Sequence, residues 1–278
     1  MQVTAHVHRY HIDEDSSPFG AMHPGGSNIY FVGNPASRMV IIDTGEHYRD
    51  WTKGILDYFD ELGRPEISAI LITHGHFDHI GGVDRIQERV GAPVRCHPKL
   101  TPRLERMLEP GIVQKIESEE VIPVDNGVNL LALYTPGHED DHICYYLEAD
   151  NVMFTGDTVL GSSTTSVRSL GEYMKSLEVL LSYNPEKVFP AHGNLVDNGI
   201  ERIRMFLSHR QGREEQILKA LSKGIEDVYD IVDDVYPKDL NRNLREAAAR
   251  NVRTHVAKLV NEGRVVEISP KYSMKIAD

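Results

Sequence analysis

Three histidines and an aspartate fall within six residues of one another, as His74, His76, Asp78 and His79 in the stretch from Thr73 to Gly82. Imidazole nitrogens and a carboxylate at this density are a ligand cluster for zinc or a similar transition metal. An apolar run leads into the cluster and Gly81-Gly82 closes it. Its internal position and mixed chemistry exclude an expression tag, and the rival explanation is a solvated polar loop.

Downstream residues weigh against that rival. Thr135-Pro136-Gly137-His138, Thr155-Gly156-Asp157 and Pro190-Ala191-His192-Gly193 each place one donor just past an apolar strand, where loops collect into a site. Glycine beside each donor lets the backbone turn sharply there. A lone histidine is more often a structural hydrogen-bonder, whereas four such elements in this order are specific.

The elements that must position these residues are legible in outline. Strands are expected at 27–32, 39–42, 67–72, 129–134, 143–147, 152–154 and 187–189, with a hairpin signal at Gly33-Asn34-Pro35. Helical spacing of apolar residues covers 50–62, 82–90 and 173–181. Alternating strands and helices define an α/β layered domain. From residue 202 the pattern turns helical, at 202–221, 228–235 and 240–262, and a short hairpin over 264–268 and 271–275 follows. Three helices and a hairpin are the order of a winged-helix module, so the expected domains are 1–205 and 206–278.

Length and composition fit a soluble globular chain of 278 residues, 40% hydrophobic and 26% charged. No apolar run reaches the length of a membrane span, and the polar N-terminus does not read as a signal peptide. Cys96 and Cys144 make no disulfide framework, so the expected setting is reducing and cytoplasmic. The formal charge of −12 disfavours indiscriminate nucleic-acid binding. Residues 200–278 carry 15 basic against 13 acidic residues, leaving 15 against 29 for residues 1–199. The two regions therefore have different surfaces.

The donor series resembles the metallo-β-lactamase-fold hydrolases, whose H-x-H-x-D-H, H, D, H pattern is matched by His74, His76, Asp78, His79, His138, Asp157 and His192. Over roughly residues 1–200 the resemblance implies a four-layer αβ/βα sandwich with a two-metal site at one edge of its sheets. His74, His76 and His138 would hold the first metal, Asp78, His79 and His192 the second, and Asp157 would bridge them. It is closer still to the lactamase-beta-2-like branch, through Gly137-His138-Glu139-Asp140-Asp141-His142, the run from Gly156 to Gly161, Thr164-Thr165, Ser208-His209-Arg210 and the winged-helix-like C-terminal region. Two cations about 3.5–4 Å apart can share a hydroxide and make it a nucleophile near neutral pH. Asp78 and Asp157 are accordingly the expected catalytic carboxylates, Asp78 also orienting the hydroxide. Two zinc ions suit the donors, and iron or manganese fit them too. No cysteine stands at the second-metal position, unlike the main group of zinc β-lactamases, which argues against antibiotic hydrolysis as the primary task.

Among lesser residues, Asp43 could support a ligand histidine or cap a turn. Ser27 and Asn28 could line the cleft but read better as turn residues. His142, Thr164 and Thr165 are candidate substrate contacts. His6, His8 and His11 read as a strand face, and Cys144 as core. Arg242, Arg245, Arg250, Arg253 and Lys258 give the last helix a face that could meet phosphates or simply be solvated.

The leading function is hydrolysis of a small acyl substrate: an ester, thioester, lactone or β-lactam-like bond. The alternative is a single-strand endoribonuclease, which some lactamase-beta-2-like members imply and which needs a basic channel between the domains. A non-hydrolytic oxygenase or scaffold fits the complete ligand set least. A small molecule is the expected partner, with RNA the alternative and a membrane excluded. The sequence leaves oligomeric state open, a homodimer being compatible with it.

Overall fold

A computed structural model of the chain describes residues 1–14, 23–268 and 271–274. The first sheet contains β1 (Val7–Ile12), β2 (Ser27–Gly33), β3 (Arg38–Ile42), β4 (Glu66–Leu71), β5 (Val94–Cys96) and β6 (Val113–Lys115), in that spatial order. Its outer face carries α1 (Arg49–Glu61), α2 (Phe77–Ile80), α3 (Val83–Val90) and α4 (Thr101–Leu104). The second sheet contains β7 (Val121–Asp125), β8 (Val128–Tyr134), β9 (Ile143–Leu147), β10 (Val152–Gly156) and β11 (Lys187–Pro190), ordered β11-β10-β9-β8-β7. On its outer face lie α5 (Leu170–Ser182) and the first half of α6 (Gly199–Ser222).

Strand periodicity explains the layers. Side chains alternate across a strand, so β2 sends Tyr30 and Val32 to the core between the sheets and Ile29 and Phe31 to the core beneath the first helices. In β3, Val40 and Ile42 face inward and Met39 and Ile41 outward. The second sheet mirrors this, with Tyr145 and Phe154 inward and Cys144 and Met153 against α5 and α6. Strands apolar on both faces need cover on both, and a four-layer αβ/βα sandwich provides it. Cys144 is core, as expected.

Beyond the sandwich, α7 (Val228–Val235), α8 (Arg242–Asn261) and a hairpin of β12 (Val265–Ile268) and β13 (Lys271–Met274) pack on the second half of α6. Helix α6 runs unbroken past residues 205 and 206. Ile203 and Phe206 pack on the sandwich, and Ile217, Ala220 and Leu221 join the C-terminal core. The two units thus share one helix. Lys275, expected in the hairpin, lies outside the described residues. Among the described residues no helix is long and apolar enough to cross a membrane.

Candidate metal centre

Strand ends deliver every donor to one edge of the two sheets. Strand β4 leads into Thr73–His79, β8 into His138, β10 into Asp157 and β11 into His192. The turn after β10 requires glycine. Gly156 has φ +47°, and a Cβ there would lie 2.6 Å from His142 Nε2.

The donors form two groups. His74, His76, His138 and Asp157 offer ligand atoms that all lie within 4.8 Å of one another, as do Asp78, His79 and His192. In the first group His138 Nε2 is 3.3 Å from both His74 Nε2 and His76 Nδ1, and 3.6 Å from Asp157 Oδ2. In the second, Asp157 Oδ1 is 3.3 Å from His192 Nε2 and 3.5 Å from His79 Nε2. Asp78 Oδ2 lies 3.2 Å from His192 Nε2. The two oxygens of Asp157 therefore face different groups.

Hydrogen bonds on the far side of each ring explain which nitrogen points inward. His79 Nδ1 meets Asp43 Oδ2 at 2.8 Å. His76 Nε2 meets Glu139 Oε1 at 2.7 Å, and Arg168 holds the other Glu139 oxygen at 2.9 Å. His138 Nδ1 lies 2.8 Å from the Ser166 carbonyl and 3.0 Å from Thr165 Oγ1. His74 Nδ1 lies 3.1 Å from Thr73 Oγ1, and His192 Nδ1 is 2.8 Å from Ser27 Oγ. In its neutral form each ring thus gives its N–H outward and turns a lone pair toward the centre.

The inward atoms include His79 Nε2, His192 Nε2 and Asp157 Oδ1, all buried without a hydrogen-bond partner. Buried polar atoms without partners are rare because each costs about 1–3 kcal/mol. A divalent cation among them would satisfy all three, so the donor set fits a metal. The charged groups gathered here act strongly on one another. Burial opposes ionisation of Asp157 and Asp78, yet the imidazoles of His192 and His79 hold both carboxyls well below the ordinary range. Burial, with His79 and His138 beside it, drives His74 well down. His79 goes the other way: burial disfavours its charge, but Asp43, Asp78 and Asp157 raise it well above normal.

Asp43 supports the site as well as ending β3. Its Oδ1 accepts the Thr73 N–H and its Oδ2 the Thr73 hydroxyl, each at 2.8 Å, beside the His79 contact. It adopts φ +63°, a left-handed conformation that asparagine also tolerates. Asp43→Asn therefore preserves the backbone while turning an N–H donor toward donors. We expect metal affinity to fall 10–100-fold, measured by competition with a chromophoric chelator. Unchanged affinity would refute the support role.

His142 does not line the cleft. It is fully buried, with Nδ1 3.0 Å from Thr135 Oγ1 and Nε2 accepting the Asp157 N–H at 3.2 Å. Burial and the neighbouring His138 hold it well below the usual imidazole range, so it is a neutral acceptor that places Asp157. Thr165 is buried against His138, and Thr164 is exposed on the surface. A substrate contact suits neither His142 nor Thr165, because packing has already used their polar atoms. Asn28 is a structural residue too, its amide donating to the Pro190 and Gly193 carbonyls at 2.9 Å. His8 and His11 lie on β1 and His6 just before it. Sequence inspection passed over Glu14, His23 and the Glu139–Arg168 pair. Glu139 adjoins His138 and was visible in principle, whereas nothing near Glu14 marks it.

Comparison with known proteins agrees with this geometry. Residues 23–192 match the family model described as the metallo-beta-lactamase superfamily, and residues 228–271 match the beta-lactamase associated winged helix domain. The chain belongs to the metallo-beta-lactamase superfamily of metal-dependent hydrolases. It is 34% identical over 262 residues to the Beta-lactamase-like protein 2 homolog of Drosophila melanogaster, covering 88% of this chain and 86% of that protein. It is also 34% identical over 255 residues to the atrochrysone carboxyl ACP thioesterase of Cryptosporiopsis sp. (strain 8999), covering 86% and 76%. A beta-lactamase domain protein from Burkholderia ambifaria superposes with a TM-score of 0.82 at 18% identity, over 99% of this chain and 93% of that one. At that identity the likeness is one of fold.

Proposed function

We propose that this protein is a two-metal acyl hydrolase acting on a thioester or a related activated acyl bond. The carrying observation is Asp157, whose Oδ2 faces the His74–His76–His138 group while Oδ1 faces His79 and His192. A carboxylate so divided can bridge two cations. His74, His76 and His138 would hold the first, Asp78, His79 and His192 the second, with zinc the metal best suited to the donors. Such a pair, when bound, supplies an activated water and polarises the attacked carbonyl. The chain's own residues then have defined tasks. The outward hydrogen bonds fix each imidazole tautomer, and the second oxygen of Asp78 can orient the attacking water.

The acyl substrate is supported by the thioesterase relative, which the chain matches along most of its length. The ribonuclease alternative calls for a free basic face, and three cations of α8 are already paired. Arg245 meets Asp233 at 2.8 Å, Arg253 meets Glu246 at 3.2 Å, and Lys258 meets Glu214 at 2.6 Å. The cleft between α5 and α8 is mixed as well, with Arg168, Lys175 and Lys258 set among Glu172, Glu178 and Glu262.

The test is a zinc-loaded preparation assayed on acyl thioesters, aryl esters, a lactone, nitrocefin and labelled single-stranded RNA. Thioesters or esters should exceed nitrocefin by 100-fold or more in kcat/KM, with RNA intact. Cleavage of RNA alone would overturn the proposal.

A further inference from the structure

The second-metal side contains a carboxylate that lies outside the donor series. Glu14, two residues beyond β1, is only 1% exposed, and a charge removed from water needs partners. Its oxygens are divided between two. Oε1 accepts the Ser27 hydroxyl, and Oε2 lies 3.1 Å from His23 Nδ1. Ser27 Oγ in turn sits 2.8 Å from His192 Nδ1. A hydroxyl has one proton to give, so with that proton on Glu14 its oxygen accepts from His192. The His192 hydrogen is thereby fixed on Nδ1 and the lone pair on Nε2, the atom facing Asp78 and Asp157.

The other arm of Glu14 reaches the same place. The His23 ring stacks on His192 with centroids 3.9 Å apart and planes 13° from parallel. With Nδ1 given to Glu14, His23 Nε2 stands 3.4 Å from Asp78 Oδ2. Glu14, His23 and His192 are also close enough to hold a cation of their own. Direct hydrogen bonds already occupy the Glu14 oxygens and both Nδ1 atoms, which favours a relay.

We propose that Glu14 is a positioning residue of the metal centre, fixing the ring of His192 through Ser27 and holding His23 against Asp78. The proposal rests on Asp78 and His192 being donors to a second cation. It makes Glu14 and His23 part of the site.

The experiment is titration of the metal-stripped full chain with cobalt(II), followed by visible absorption and equilibrium dialysis, for wild type and Glu14→Gln, Ser27→Ala and Ser27→Thr variants. Glutamine has one carbonyl oxygen and can serve only one of the two partners. The first equivalent should bind within twofold of wild type in every variant. The second should weaken 10–100-fold in Glu14→Gln and Ser27→Ala, while Ser27→Thr, which keeps the hydroxyl, stays within threefold. Wild-type affinity for both equivalents in Ser27→Ala and in a folded Glu14→Gln would overturn the proposal. Should Glu14→Gln fail to fold, the Ser27 pair decides alone. A wild type that takes up one equivalent only would overturn the two-cation reading, and this proposal with it.

Discussion

The Asp78→Ala, His79→Ala double variant is expected to lose at least about 10³-fold in kcat/KM, roughly 4 kcal/mol of transition-state stabilisation. Both side chains belong to the group proposed to hold the second metal, where Asp78 Oδ2 and His192 Nε2 are 3.2 Å apart. Removing them leaves His192 and one Asp157 oxygen, too few donors to retain a cation. The first group is untouched, so metal content should fall from two equivalents to one. The fold should survive, because Asp78 is partly exposed and Asp43, without His79, still accepts the Thr73 N–H and hydroxyl. Metal analysis alongside steady-state kinetics is the measurement. Activity persisting near wild type would sink the two-metal mechanism.

The second large effect is on stability. His255 in α8 is 1% exposed and its pKa is held down at about 4. Burial is the main cause. The Asn251 carbonyl, 2.7 Å from Nδ1, opposes it, and the nearby Arg210 cation adds to it. The unfolded chain takes up a proton near pH 6.5, while the folded chain refuses it until about pH 4. Stability is therefore full above 6.5 and drains away as the pH falls between those values. The change is on the order of 3 kcal/mol. A His255→Gln variant lacks this proton. Protection factors of α8 amides in metal-free protein at pH 7 and pH 4 should fall by about 100-fold more in wild type than in the variant. Equal losses would show that His255 does not set the acid sensitivity of the C-terminal unit.

Particular residues show how much was legible beforehand. The strands were recognisable where apolar residues run together, as in β2, and the helices where they recur every three to four positions, as in α1 and α6. The three-residue strands β5 and β6 were not, since so short a run has no period to detect. The donor series was recognisable because its segments follow apolar strands and five of its seven members, all but Asp78 and His79, adjoin a glycine. The tasks of His142 and Thr165 were not, because a polar side chain looks the same in sequence whether it faces a substrate or a neighbouring ring.

By itself the sequence determined the layered α/β architecture, the winged-helix order of the C-terminal elements and the donor types available to a metal, since these follow from local periodicity and residue chemistry. The tertiary structure alone decided which nitrogen of each histidine faces inward, that Asp157 divides its oxygens, and that Asp43, Glu139 and Glu14 stand behind the rings. Those choices depend on hydrogen bonds between residues far apart in the chain: 36 positions for Asp43 and His79, 63 for His76 and Glu139, 165 for Ser27 and His192. A tautomer is set by whatever the fold brings to the far side of the ring, and no local pattern encodes that.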